Sequence, residues 1–528
     1  MYVFIKTKFM DILNLRKISN VFILLIPIIV FSVLVLPLCF QNNDYLALVS
    51  SQFVDSGSIL SSIFQLMDND SLYNQNIPYH TAYGYPFNSI LFWLFMVLKH
   101  IFKLSITTDF FIFATVARLA NYVIAIFALC MSFLLAKKVF FRGFTVFLFL
   151  FFLSLFPPFI LYTVQIKPDL LGVLFISCSM WFLLNFLENE HEKYLIIAFL
   201  FAGLAATTKQ PFIYWIISLS LGAFWVNRMS LTKQALLIRF LRIAITSVLL
   251  FFPIFFIIHP YSFLDPVGLI NKQIFLLNEN ASADMITNVR AWTMVIYENA
   301  YLLLLIFIPF ISVLVPHKSE LDKKRIILLV VYILVYIFWL IIKVGPMREP
   351  AYFLMIIVPC AFLVLHIYEL VSLKISKRVL FLRISTFLVF SLTMSYLYYP
   401  HIQDNLDDIY GYKKSVQYQS VERIMQNEDF SDELLNSRVV FSASIPLPTH
   451  IMPQAVNTWQ FGKGVNMGSN LIAYKPEMMI IDTFQWWEQP LEYWQGIAKA
   501  SGLRYTKTLI SDPNQSNKKV IIFMKQNM

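Results

Sequence analysis

The stretch FILYTVQIKPDLLGVLFISCSMWFLL, residues 159–184, ends one apolar run and begins another, with Lys167, Pro168 and Asp169 between them. Each run has the composition of a membrane-spanning helix, whose backbone hydrogen bonds are satisfied internally. An aspartate that reached the centre of such a helix would cost about 2.5–3.5 kcal/mol. Asp169 therefore indicates a helix that begins at the membrane boundary, a functional carboxylate, or both.

The composition places this stretch in a polytopic α-helical membrane protein. Of the 528 residues, 58% are hydrophobic, and the mean hydropathy is +0.67. A soluble domain has an apolar share of about 45–50%. Apolar runs long enough to cross a hydrocarbon core of about 30 Å recur along the chain. The net charge of +10 is therefore read as loop charge that sets orientation, and no nucleic-acid partner is expected.

The apolar runs predict about eleven transmembrane helices. We place them at 20–40, 112–136, 143–162, 169–187, 194–208, 211–226, 243–259, 299–315, 326–342, 351–371 and 384–399. The apolar run 87–103 is short, and counting it as a span would move four strongly basic loops outside, against the positive-inside rule. We therefore predict an interfacial helix there, in a bacterial inner membrane protein with a cytoplasmic N-terminus.

The composition changes near residue 400. Residues 1–400 form the predicted transmembrane domain, in which 41–111 is a long outer loop, and residues 401–528 are more polar. The runs RVVFSAS, MMIIDTF and KKVIIFMK are typical of strands, and they alternate with helical patterns. The sequence therefore predicts a small soluble α/β domain outside the cytoplasm.

Several polar residues that are costly in a membrane fall near the outer end of the predicted bundle. They are Asp44, Lys167 with Asp169, Lys209, Arg348 and Arg118. Helix capping is an ordinary alternative for Asp44, and for Asp169 after Pro168. Together, however, carboxylates can activate a hydroxyl or hold a metal ion, and cations can hold a phosphate. The set fits chemistry on a lipid-linked phosphate.

The arrangement resembles the GT-C superfamily of glycosyltransferases, in the branch of the protein mannosyltransferases and bacterial aminoarabinose transferases (family 39-like). The motifs that carry the resemblance follow one another within residues 20–400. They are Asn43-Asp44-Tyr45, IPYHTAYGYPF at 77–87, Lys167-Pro168-Asp169, Thr208-Lys209-Gln210, and Arg348 with Tyr352 and Pro359. The chain departs from the family pattern at Tyr45, where a second carboxylate is common, and at Lys167, where Arg is common.

The resemblance implies transfer of a sugar from a polyprenyl-phosphate donor to a glycan, lipid or protein acceptor on the non-cytoplasmic face, among membrane lipids. It gives Asp44 the role of general base, and Asp169 that of orienting the substrate. It assigns phosphate neutralisation or substrate binding to the remaining site residues, Lys167, Lys209, Arg348, Arg118, His80 and Tyr85. A divalent metal ion is left open as cofactor, with Asp44 and Asp169 as its candidate ligands.

Two other functions compete with this one. An O-antigen polymerase or ligase would act on lipid-pyrophosphate oligosaccharides with similar cations but would not need Asp44. A transporter or flippase of lipid-linked sugars predicts internal repeats and broken helices at the membrane midplane. No repeat is evident in the sequence, and the charges lie near the boundary, which favours the transferase.

Overall fold

A computed structural model describes much of the transmembrane region and part of the C-terminal region. The described residues are 2–41, 43, 59–60, 62–64, 66–67, 85–106, 109–140, 142–227, 233–258, 267, 289–290, 293, 307, 311–314, 319–343, 354–374, 437–442, 456–458, 465–482, 491–512 and 515–525. The predicted spans 299–315 and 384–399 lie mostly or wholly outside this set. The predicted count of eleven spans therefore stays a prediction.

Apart from short links between helices, the described parts of the transmembrane region are helical. The helices whose bounds the structure describes begin with α1 (Tyr2–Cys39), α2 (Tyr85–Phe102), α3 (Phe110–Val139), α4 (Gly143–Leu155), α5 (Pro157–Val164) and α6 (Asp169–Asn189). Then come α7 (Glu192–Thr208), a 3-10 turn (Gln210–Tyr214), α8 (Trp215–Asn227), α9 (Lys233–Ile258), α10 (Glu320–Lys343) and α11 (Ile357–Lys374).

Three of these helices are long and apolar enough to cross a membrane on their own. They are the part of α1 from Asn20 to Cys39, α3 and α6. The bent pair α4 and α5 would make a fourth span, and shorter apolar helices occupy the predicted spans near 211–226, 243–259 and 351–371. The predicted helix 87–103 is observed as α2, which ends at Phe102. Its position on the outer leaflet stays a prediction.

The predicted span 143–162 corresponds to the pair α4 and α5, between which the chain bends by 52°. The break lies at Phe156, whose extended backbone (φ −66°, ψ 119°) precedes Pro157 and Pro158. A proline removes a backbone donor, clashes with the preceding helical turn and disfavours the helical conformation in the residue before it. Pro157 therefore ends α4 and begins the short helix α5.

The apolar core runs through the bundle, and α6 is at its centre. Helix α6 packs most extensively against α7 and also contacts α3, α8 and α10. Gly172 on α6 allows the close approach to α7. A Cβ added there would lie 2.2 Å from a ring carbon of Phe212 and 2.6 Å from Thr208 Oγ1. Any larger side chain at this position would have to push the two segments apart.

Charged side chains from several predicted inner loops meet at the C-terminal end of α6. Glu188 pairs with Lys138, at 2.7 Å, and with Arg325, and Glu192 at the start of α7 pairs with Arg242. These three cations come from three separate basic loops, which the positive-inside rule assigns to the cytoplasmic face of the membrane. The structure brings them to one end of the bundle, while the membrane face that this end occupies stays a prediction.

The described part of the C-terminal region contains a five-stranded mixed sheet and two helices. The strands are β1 (Val439–Phe441), β2 (Val456–Asn457), β3 (Met478–Asp482), β4 (Arg504–Asp512) and β5 (Gln515–Met524), in the order β2-β1-β3-β5-β4. Strand β1 runs parallel to β2 and β3, and β5 is antiparallel to β3 and β4. The helices are α12 (Val465–Tyr474) and α13 (Leu491–Ala500). The division into separate domains and the location outside the cytoplasm stay predictions.

Candidate functional site

A buried ion pair joins the beginning of α6 to the end of α7. Asp169, the first residue of α6, is 1% exposed, and Lys209, which follows α7, is 8% exposed. The ammonium Nζ of Lys209 contacts Asp169 Oδ1. The structure thus brings two of the predicted site residues into direct contact, although forty positions separate them in the sequence.

Local backbone breaks point Lys209 toward α6. The residue has an extended backbone, with φ −152° and ψ 123°, between the last residue of α7, Thr208, and the 3-10 turn. Pro211 in that turn has no backbone N–H and cannot continue the helix of α7. The close packing at Gly172 then holds this break against the first turn of α6.

Asp169 does not cap its helix. The residue before α6 is Pro168, and no side chain makes a capping hydrogen bond at this helix start. One carboxylate oxygen, Oδ1, contacts Lys209, and the other, Oδ2, is buried and accepts no hydrogen bond from the described residues. A buried acceptor of this kind is costly unless a ligand or water completes it, which makes Oδ2 a candidate contact for substrate.

Lys167 lies beside this pair in the non-helical link between α5 and α6. Its side chain is buried, and its ammonium lies 5.1 Å from the centroid of the Tyr162 ring. A cation over an aromatic face is stabilised electrostatically, so the charge is tolerated in an apolar setting. Two cations, Lys167 and Lys209, and one carboxylate, Asp169, are therefore buried where the start of α6 meets the end of α7.

Arg118 lies on α3 and contacts the segment that leads to Asp44. Its Nη1 donates a hydrogen bond to Asn43 Oδ1 at 2.6 Å and another to the backbone carbonyl of Gln41. Asn43 in turn donates from Nδ2 to the carbonyl of Cys39 and to Thr115 Oγ1, both at 2.7 Å. The chain beyond the end of α1 is thus attached to α3 up to the residue before Asp44.

Asn121, one turn along α3, was not singled out from the sequence. It is fully buried, and its amide nitrogen donates to the backbone carbonyls of Tyr162 and Gln165, both at 2.6 Å. Both acceptors lie at the end of α5 and the start of the link to Asp169. An asparagine three residues after a buried arginine, in an otherwise apolar span, is the sequence signal that could have identified it.

Three of the predicted site residues, Asp44, His80 and Arg348, lie outside the described residues. Tyr85 begins α2, and only its backbone is described. The roles that the resemblance implies for these four residues stay predictions. Among the described residues, no three His, Cys, Asp or Glu side chains lie close enough together to hold a metal ion. A metal site that used Asp169 would need Asp44 or other ligands from outside that set.

Comparisons with known proteins support the expected family. Residues 91–256 match the family model of dolichyl-phosphate-mannose-protein mannosyltransferase. This region includes α3, the link with Lys167 and Asp169, and Lys209. The comparison with curated proteins finds no match.

The fold is similar to that of solved structures of ArnT from Cupriavidus metallidurans. The crystal structure bound to undecaprenyl phosphate gives a TM-score of 0.51 at 10% identity, over 94% of this chain and 97% of that chain. The apo crystal structure of that protein gives a TM-score of 0.49 at 11% identity, over the same shares. Together, the matched region and the fold confirm the resemblance to the GT-C superfamily of glycosyltransferases, of the protein mannosyltransferase and aminoarabinose transferase type.

Proposed function

We propose that this protein transfers a sugar from a polyprenyl-phosphate donor to an acceptor on the non-cytoplasmic face of the membrane. The observation that carries the proposal is the buried Asp169–Lys209 pair, which leaves one carboxylate oxygen without a hydrogen bond from the described residues. The family match and the binding of undecaprenyl phosphate by the structurally similar ArnT support a lipid-linked donor.

In the proposed reaction an acceptor hydroxyl or amine attacks the anomeric carbon of the donor sugar. The bond from the acceptor atom to this carbon forms, the bond from the carbon to the phosphate oxygen breaks, and polyprenyl phosphate leaves with the bonding electrons. Asp44, by resemblance, takes the proton of the acceptor. A carboxylate suits this role because it accepts a proton within hydrogen-bond reach of the attacking atom.

Cations at the site would stabilise the negative charge that develops on the departing phosphate. Lys209 is the described candidate, and Arg348 is the candidate from outside the described residues. An ammonium carries three N–H donors, so it can contact a carboxylate and a phosphate oxygen together. Asp169 would then hold Lys209 in place through Oδ1 and accept a hydrogen bond from the sugar at Oδ2.

A divalent metal ion stays an open part of this proposal. Asp169 Oδ2 could supply one oxygen ligand, and Asp44 would have to supply another. Tyr45, which stands where relatives often have a second carboxylate, removes one further ligand. The proposed proton transfer and phosphate stabilisation use only side chains of this chain.

The test is turnover by the purified protein in lipid nanodiscs, with mass spectrometry of lipid and glycan products. Polyprenyl-phosphate mannose and polyprenyl-phosphate aminoarabinose are the two donor probes. Asp44→Asn keeps the size of the side chain but cannot take the proton, and turnover should fall about 10²–10⁴-fold while donor binding survives. Near-normal turnover in this variant would instead favour helix capping at Asp44. Absence of turnover by the unsubstituted protein with both donors would favour the polymerase or transporter function.

The proposed orientation has its own test. Cysteines placed at Lys499 on α13 and at Lys137 on α3, both exposed, are treated with a membrane-impermeant thiol reagent on intact cells. We expect labelling at position 499 and none at position 137 until the membrane is opened. The unsubstituted protein, with its four native cysteines, is the control for background labelling. The opposite pattern would place the C-terminal sheet in the cytoplasm.

A further inference from the structure

Helix α3 contacts both chain segments that lead to the two candidate carboxylates. Thr115 and Arg118 contact Asn43, the residue before Asp44. Asn121 contacts the carbonyls of Tyr162 and Gln165, ahead of Asp169. The contacts therefore come from residues spaced by three along one helix.

This spacing attaches the two segments to neighbouring turns of one rigid element. Side chains three apart are neighbours on a helix surface. Arg118 and Asn121 are separated by a rise of only about 4.5 Å along the axis of α3, at 1.5 Å per residue. Arg118 bonds to Asn43, one position before Asp44, and Asn121 bonds to Gln165, four positions before Asp169.

The bonds of Asn121 differ from the usual hydrogen bonds of polar side chains in this bundle. Thr163 and Ser177, for example, donate to carbonyls one turn back in their own helices, Phe159 and Val173. Asn121 instead spans to another element, at the point where α5 has ended and Gln165 is extended (φ −74°, ψ 144°). Since both contacts are carbonyl oxygens, the group that faces them must be the amide nitrogen, which has two N–H donors.

We infer that Arg118 and Asn121 are positioning residues. Arg118 holds the segment that leads to Asp44 through Gln41 and Asn43, and Asn121 holds the segment that leads to Asp169 through Tyr162 and Gln165. The inference rests on the proposed transferase function and adds to it. It also gives Arg118 a role other than direct contact with phosphate, because its Nη1 donates to Gln41 and Asn43. A misplacement of about 1 Å can cost a transfer reaction on the order of 100-fold in rate.

The test is a double-mutant cycle between Asn121→Ala and Asp169→Asn, measured as kcat and KM for the donor in nanodiscs. Alone, Asn121→Ala should lower kcat by about 10–100-fold with KM for the donor within about threefold, because geometry is lost while the binding groups remain. In the Asp169→Asn background the same change should cost much less, since it then has little left to misplace.

Ser179→Ala is the matched structural control. Ser179 also makes two buried hydrogen bonds, donating to the carbonyl of Ala198 and accepting from Trp215 Nε1. It lies on α6 itself, well away from Asp169. Its removal should lower thermal stability about as much as Asn121→Ala, with kcat within about twofold of the wild type. Asn121→Ser, which keeps one short donor, should recover part of the lost kcat and is the second variant if Asn121→Ala does not fold.

The outcomes separate the inference from the function on which it rests. Near-normal turnover in Asp169→Asn would contradict the proposed function itself. Loss of turnover in Asp169→Asn together with an unchanged kcat in Asn121→Ala would overturn the positioning role alone. Equal losses in both backgrounds would also overturn it, because Asn121 would then act independently of Asp169.

A parallel double-mutant cycle of Arg118→Gln with Asp44→Asn tests the positioning role of Arg118. A loss of donor affinity without loss of kcat would contradict that role and indicate that Arg118 binds phosphate.

Discussion

A carboxylate pairs with basic side chains in two regions of the chain, and the two ion pairs differ in burial and in hydrogen bonding. In the helical bundle, Asp169 and Lys209 are almost fully buried, and Asp169 Oδ2 accepts no hydrogen bond from the described residues. In the C-terminal sheet, the side chain of Glu477 is 24% exposed. Its Oε2 accepts from the backbone N–H of Arg438 at 3.0 Å, and its Oε1 lies 3.5 Å from the Arg438 guanidinium and 3.8 Å from Lys525 Nζ.

The difference separates a structural ion cluster from a candidate functional one. Glu477 has contacts on both oxygens and ties together the residues that flank β1, β3 and β5. The bundle pair is incomplete, although taking two charges out of water costs several kcal/mol per ion. Helices α6 and α7 also pack closely without it, through Gly172. In the proposed function, substrate would complete Asp169 Oδ2, whereas Glu477 has no such role.

We expect the largest difference between the two regions when a single carboxylate is replaced by its amide. Asp169→Asn should lower turnover by about 100-fold, since it disturbs the orientation of sugar and Lys209. It should also lower the free energy of unfolding by about 3–5 kcal/mol, because a buried lysine loses its partner. The matched change in the sheet, Glu477→Gln, should leave turnover unchanged. Parallel turnover assays and thermal unfolding curves in the same detergent measure both, and equal effects in the two regions would remove the distinction.

A second prediction separates the stability of the bundle pair from its chemistry. The double variant Asp169→Asn with Lys209→Met carries no buried charge at this position. It should therefore recover most of the stability that either single variant loses, since an uncompensated charge is the main cost. Turnover should stay as low as in the worse single variant. Recovery of turnover along with stability would show that the pair has only a structural role.

Sequence reasoning singled out polar residues that the structure buries in the bundle, but not how they are paired. The cost of charge in a membrane is local information, so Lys167, Asp169, Lys209 and Arg118 could be singled out from their neighbours alone. The contact of Lys209 with Asp169, and that of Arg118 with Asn43, depend on how helices pack. With one sequence, no local pattern specifies which distant partner a buried charge meets.

Two local signals were present in the sequence and were underweighted. Pro157 and Pro158 lie inside the apolar run 143–162, and they bend it at Phe156. The hydropathy of that run does not indicate the bend, because a hydropathy average takes no account of the backbone N–H that each proline lacks. In the sequence, Gly172 looks like an ordinary small residue of α6, whereas in the structure Phe212 and Thr208 leave no room there for a Cβ.

A third prediction uses this close approach. In Gly172→Ala the new methyl group would lie within 2.2 Å of the Phe212 ring, so the segment that carries Lys209 must move. We expect a loss of about 1–3 kcal/mol of stability from overpacking, with lower turnover because Lys209 shifts from Asp169. Gly496→Ala is the control, since a Cβ there meets nothing within 4 Å and alanine favours helix α13 by about 1 kcal/mol. Normal turnover in Gly172→Ala would mean that the pair tolerates displacement.

The smallest effect is expected in the sheet, and it should depend on pH. The hydrogen bond from the backbone N–H of Arg438 lowers the pKa of Glu477 below its usual range, partial burial opposes this, and the charges of Arg438 and Lys525 lower it further. A carboxyl whose pKa is lower in the folded state stabilises that state at pH values above its unfolded pKa of about 4.3. This contribution is lost as the pH falls through the folded pKa. For a partly exposed pair it should be no more than about 1 kcal/mol.

Hydrogen exchange of the full-length protein in nanodiscs can resolve an effect of this size. Peptides from β3 and β5 should exchange faster in Glu477→Gln than in the wild type at pH 7, because the glutamine keeps the shape of the side chain but loses its charge. Comparing the two proteins at the same pH cancels the intrinsic change in exchange rate. The difference should shrink once the pH is low enough to protonate Glu477 in the folded protein, while peptides from α6 and α7 serve as the internal reference. A difference that persists unchanged at low pH would mean that Glu477 acts through its hydrogen bond to Arg438 alone, and the contrast with the bundle pair would then be one of hydrogen bonding rather than charge.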